Sequence, residues 1–159
     1  MSVFATTTLS VAGIGEVGTV AEAVLTRSNI FEMTQAAEDA VLRPQDNGAF
    51  PHDLRAALAS RIATQADDAE LAAYYAKFAG IFADLADPLN NGGPEHGTLI
   101  AFVDKAANAT KDITASDISD LQNGGVLDAD IVKLCELVAF VAFQVRVAAG
   151  LRLMQGRTS

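Results

Sequence analysis

Apolar residues recur at Ile131, Leu134, Val138, Val141, Val145 and Ala148, one face of a helix of 3.6-residue period. The stretch Asp128 to Met154 holds no proline and no glycine before Gly150, and Asp128 and Asp130 put negative charge in its first turn. A second line on the same helix runs Cys135, Ala139, Ala142, Arg146 and Ala149, and its small side chains let another helix approach closely. From Leu137 to Phe143 the helix is apolar on every side, which predicts burial at the centre of a bundle.

Upstream, the pattern predicts more helices. One spans Val20–Thr26, and the next opens at Asn29, with Glu32 completing a capping box, and is stopped by Arg43-Pro44. Pro44–Phe50 is a turn cluster, after which Pro51 suits the first position of a helix with Asp53 in its first turn. Asp67-Asp68 reads as a break and recap, leading into a helix with Leu71, Tyr75, Phe78, Phe82 and Leu85 on one stripe, expected to be core. Asp87–Gly97 is read as irregular, with a helix resuming near Thr98. Thr114 and Asp117 form a capping box for a shorter helix that Gly124-Gly125 ends. The expectation is one all-α domain over residues 1–159 with about seven helices. Residues 1–18 are left as a tail or loop, with Val3–Val11 readable as a short strand.

Composition narrows the function classes. Half of the 159 residues are hydrophobic and 6% are aromatic, so the core is mainly aliphatic and the chain is long enough to bury one. A net charge of −9 argues against nucleic acid and anionic membrane as partners. One cysteine, Cys135, excludes an intrachain disulfide and suits a reducing compartment. No basic segment precedes the apolar N-terminus, and Lys133, Glu136, Gln144 and Arg146 interrupt the best candidate span. The expected setting is cytoplasmic.

Candidate chemistry is sparse. Gly13-Ile14-Gly15-Glu16-Val17-Gly18 matches the dinucleotide fingerprint GxGxxG, but no βαβ context surrounds it, and a glycine-rich loop entering a helix is the better account. Two histidines, His52 and His96, with one cysteine give no metal-ligand spacing, and no G-x-S-x-G elbow supports a hydrolase. No cofactor or metal is expected. His52 and Asp53 at a helix start, with Arg146 on an apolar seam, form the pocket candidate, suited to proton transfer on an acidic small molecule. The competing account pairs Arg146 structurally and leaves His52 exposed. Cys135 is expected to be inert packing and His96 solvated.

The run Asn108 to Asp112, Ile113 to Ile118, Leu121, Gly125 and Leu127-Asp128 leads into Phe140-Val141-Ala142-Phe143-Gln144-Val145-Arg146. With Pro51 to Ala59 and Arg61-Ile62-Ala63 upstream, this order resembles the alkylhydroperoxidase D and carboxymuconolactone decarboxylase family over roughly residues 30–155. The resemblance implies an all-helical, homo-oligomeric protein. In the peroxidase branch an acidic residue precedes a CxxC pair, with a histidine four residues after it. With Arg61 as guide, the acidic position falls near Ala56, the cysteines near Asp68 and Leu71, and the histidine near Tyr75. A CxxC peroxidase cycle within one chain is therefore excluded. Three functions follow as expectations. One is a family member without its thiol centre but with a residual antioxidant or small-molecule activity. The others are a decarboxylase-like enzyme on a small acidic substrate and a non-catalytic oligomeric binding or assembly protein.

Overall fold

A computed structural model describes residues 2–157; Met1, Thr158 and Ser159, the ends of the expected domain, lie outside the described residues. The chain is all-α. Its α-helices are α1 (Thr7–Val11), α2 (Thr19–Leu25), α3 (Ser28–Leu42), α4 (His52–Gln65), α5 (Ala69–Ala76), α6 (Gly93–Asn108), α7 (Ala115–Asn123) and α8 (Asp128–Met154). Short 3-10 segments lie at Val3–Ala5, Gly80–Ala86 and Thr110–Asp112, and there is no strand among the described residues.

The helix buried on every side is α4, not α8. Ten consecutive residues of α4, Leu54 to Ala63, are buried. Its alanines and Ser60 leave room for α5, the Gly80–Ala86 turn and α8 to pack against it. On α8, Leu134, Leu137, Val138 and Val141 join that main core, whereas Ala139 and Phe143 on its other side are exposed. The expectation of burial all round fails because the inward faces of α3, α4 and α6 cover only part of its circumference. By length and composition α8 could cross a bilayer. Here it serves as a core helix, with Asp130, Gln144 and Arg152 among its buried residues.

The N-terminal residues are folded in. Leu9, Ala12 and Ile14 pack with Val24, Ala148 and Leu151 in a second apolar cluster, and Thr7 and Thr8 are buried. The strand alternative for Val3–Val11 is lost because no sheet edge exists among the described residues for it to pair with. The GxGxxG stretch is a loop, with Gly18 at φ 104 as N-cap of α2.

Several boundaries differ from expectation for local reasons. Asn29 lies inside α3, whose N-cap is Arg27, so its capping box does not form. Pro51 is the N-cap of α4 rather than its first residue. The α6 helix opens at Gly93, five residues before Thr98, because Pro94 needs no amide partner in a first turn and Glu95 suits the positive helix end. The aromatic stripe is broken: α5 ends at Ala76 and Gly80 takes φ +52. Leu71, Tyr75 and Leu85 stay buried, while Phe78 is exposed.

Two buried arginines on α4 fix its surroundings. Arg55 donates to Phe50 O at 2.8 Å, Val41 O at 2.9 Å and Asn47 O at 3.0 Å, which anchors the 43–51 loop. Gly48 in that loop takes φ +55, and a Cβ there would sit 1.9 Å from Asp130 Oδ1, so a side chain at this position would displace the Asp130 carboxylate on α8. Arg61 makes a bidentate pair with Asp104 at 2.6 and 2.7 Å. It also donates to the carbonyls of Leu85, Asp87, Pro88 and Asn90, gathering the turn between α5 and α6 onto α4.

Candidate functional site

The anchored 43–51 loop, the start of α4 and the end of α5 enclose an open cavity of about 410 Å³. It is lined by Arg43, Asn47, His52, Asp53, Tyr75 and Phe78, together with Leu42 and Ala56. Two of the three residues expected to form the site, His52 and Asp53, therefore line one cavity.

Each wall group has a defined role. His52 Nε2 lies 2.8 Å from Pro44 O, and a carbonyl can only accept, so Nε2 carries the proton. In the neutral ring Nδ1 is then a free acceptor. Asp53 Oδ1 accepts from Leu54 N at 3.0 Å, and its side chain packs beneath Gly80, where a Cβ would come within 3.0 Å of Oδ2. Asn47 Oδ1 is the one buried side-chain polar atom without a partner among the described residues. Arg43 is the single cationic side chain of fixed charge in the wall, and it is already paired with Asp39 and, at 3.4 Å, with Glu38. Burial pulls the Arg43 pKa down, but hydrogen bonds and charge from Asp39 and Glu38 outweigh it and raise it.

Behind the cavity lies a buried polar network. Tyr75 donates to Gln144 Oε1 at 2.5 Å, and Gln144 Nε2 donates to Glu38 Oε2 at 2.7 Å. Thr7 donates to Glu38 Oε1 at 2.8 Å, and Gln144 Nε2 also lies 3.2 Å from Thr8 Oγ1. Glu38, Tyr75 and Gln144 are each 1% exposed or less. Burial, with Glu38 charge adding to it, lifts the Tyr75 phenol well above its ordinary range, so it stays a protonated donor. Sequence reasoning missed this network because its members come from α1, α3, α5 and α8. The available signal was a lone Gln inside the apolar run of α8.

Arg146 is a correction to the expected trio. It is exposed, its one side-chain hydrogen bond runs to Ala142 O at 3.3 Å, and it lines a different groove. That groove, of about 510 Å³, lies between α6, α7 and α8 and also contains Cys135, Ala139 and Ile113. The trio fails because Arg146 sits on the outward face of α8, away from the face that meets α4. Cys135 is likewise exposed rather than packed inside. Partial burial, with the charge of Glu136 adding to it, raises its thiol pKa, which disfavours the thiolate. His96 is half-buried, with its ring edge-on to Phe82 at 5.7 Å.

The positions matched to the peroxidase centre are accounted for individually. Ala56 and Tyr75 line the cavity. Asp68 caps α5 through Leu71 N at 3.1 Å and forms a bidentate pair with Arg152, both distances 2.9 Å. Leu71 is fully buried in the main core. No group of three or more His, Cys, Asp or Glu side chains suited to a metal occurs among the described residues. Comparison of the chain with family models, with characterised proteins and with solved structures finds no match.

Proposed function

We propose that this chain is an alkylhydroperoxidase D and carboxymuconolactone decarboxylase-like protein that keeps a small-molecule cavity and has lost the thiol centre. One observation carries this reading. Ala56 and Tyr75, the positions matched to the acid and histidine of the peroxidase branch, line one cavity together with His52 and Asp53. The matched cysteine positions are occupied by a structural carboxylate, Asp68, and a core leucine, Leu71.

The wall chemistry defines the ligand class. His52 Nδ1 and the Asp53 carboxylate are acceptors, and the Arg43 charge is already matched by Glu38 and Asp39. Such a wall favours a neutral or cationic molecule bearing N–H or O–H donors over a carboxylate. The reaction open to it is proton transfer, with His52 Nδ1 as the base and Asp53 holding a donor group of the ligand. Without Arg146 in the cavity, a decarboxylase on a small acidic substrate lacks its anion-binding group.

The test is an NMR titration of the whole chain with a panel of neutral, cationic and carboxylate fragments, read at the ring protons of His52 and Phe78. The expected result is saturable shifts with neutral or cationic members, abolished in Asp53→Ala. Shifts confined to carboxylates, or to residues of the Cys135 groove, would contradict the assignment.

A further inference from the structure

The outward face of α8 is organised for a second copy of the same helix. Its exposed positions include Ala129, Val132, Glu136, Ala139, Phe143, Arg146, Gly150 and Leu153, which alternate by three and four residues. That spacing keeps one stripe facing a partner along a left-handed helix pair, here over about 36 Å of axis. Val132, Phe143 and Leu153 are 57%, 43% and 63% exposed, so nothing among the described residues covers the stripe.

The stripe is self-complementary in one direction. Glu136 and Arg146 each lie five residues from Val141, on opposite sides of it. Two copies running antiparallel about Val141 would set Glu136 of each against Arg146 of the other. The same pairing sets Phe143 against Ala139, Val132 against Gly150 and Leu153 against Ala129, large against small in each case. Neither Glu136 nor Arg146 has an ion-pair partner among the described residues. A parallel, in-register pair would instead oppose Arg146 to Arg146 and Glu136 to Glu136, which costs stability.

Gly150 adds an independent sign. A glycine inside a helix costs about 1 kcal/mol relative to alanine. A Cβ at Gly150 would meet nothing within 4 Å, so the isolated fold gives no reason for glycine there. A second helix drawn close over it does. The groove between α6, α7 and α8, which includes Ala139 and Ala142, lies beside the stripe and can receive the Phe143 ring of the other copy.

We propose that two copies of this chain associate through antiparallel α8 helices centred on Val141, with reciprocal Glu136–Arg146 pairs. This assignment is independent of the chemistry in the His52 cavity. The test is sedimentation velocity on the full chain, E136R, R146E and the double variant E136R/R146E, with the far-ultraviolet circular dichroism spectrum at 20 °C as a fold control. Both residues are exposed, so all three variants keep the wild-type helical spectrum, while the melting temperature follows the strength of association. The expected result is a wild-type dimer, at least about tenfold weaker association in each single variant, and recovery to within about threefold in the double variant. A wild-type monomer at about 50 μM, a dimer indifferent to the single reversals, or a double variant that stays dissociated would each overturn it.

Discussion

Gln144 bridges two buried groups, Glu38 and Tyr75, through the two ends of its amide. Its amide nitrogen donates to Glu38 Oε2 at 2.7 Å and its carbonyl accepts from Tyr75 at 2.5 Å. The three residues come from α8, α3 and α5, so this contact ties the core helix to the wall of the cavity.

Replacing Gln144 by Leu keeps much of the volume and removes both bonds. Glu38, 1% exposed, would then lose the amide donor to Oε2 and keep Thr7, the longer Arg43 contact and the nearby Tyr75 hydroxyl. The expected loss is about 3 kcal/mol, seen as a lower denaturant midpoint. Tyr75→Phe leaves Gln144 Oε1 unpaired and should cost less, about 1–2 kcal/mol. A Gln144→Leu variant as stable as wild type would show that the network contributes nothing.

Arg61→Lys should destabilise by about 3 kcal/mol, because one ammonium cannot reproduce a planar fork shared between Asp104 and four carbonyls. Amide exchange should accelerate first at residues 80–92, the turn that Arg61 gathers. Uniform acceleration across the chain would assign Arg61 a general role rather than a local one.

Asp117 carries a pH-dependent contribution. Hydrogen bonds from Lys105 and from Thr114 N lower its pKa from 3.8 to about 2. A depressed carboxylate stabilises the fold above its unfolded pKa and loses that contribution as pH falls through the folded one. The melting temperature should therefore fall between about pH 4 and pH 2, and Asp117→Asn should flatten that decline while lowering stability at pH 7. Parallel curves for the two proteins would contradict the assignment.

Much of the helical frame was legible because its signals are local. The α8 limits, Asp128 and Met154, follow from acidic residues in the first turn and an unbroken apolar period. The Thr114–Asp117 box follows from two residues three apart. What the sequence hid were relationships between elements. Gln144 reads along the chain as an interruption, because Glu38 lies 106 residues away. Tyr75 reads as one more aromatic of a core stripe, although its hydroxyl ends in a polar network. His52 and Asp53 are adjacent, so their joint presence at one cavity needed no tertiary knowledge. The sequence groups Arg146 with them because helical period identifies faces without saying which face meets the core. The small side chains of its line suit close approach of a helix, and no helix among the described residues covers it.

The proposal of a thiol-free function is tested most directly by hydroperoxide consumption with a dithiol reductant, on wild type and Cys135→Ala side by side. The raised thiol pKa of Cys135 and the absence of a second cysteine predict the same negligible rate in both proteins. Turnover in wild type that is lost in Cys135→Ala would make Cys135 a working thiol and overturn the proposed reading of the His52 cavity in favour of the groove on α8.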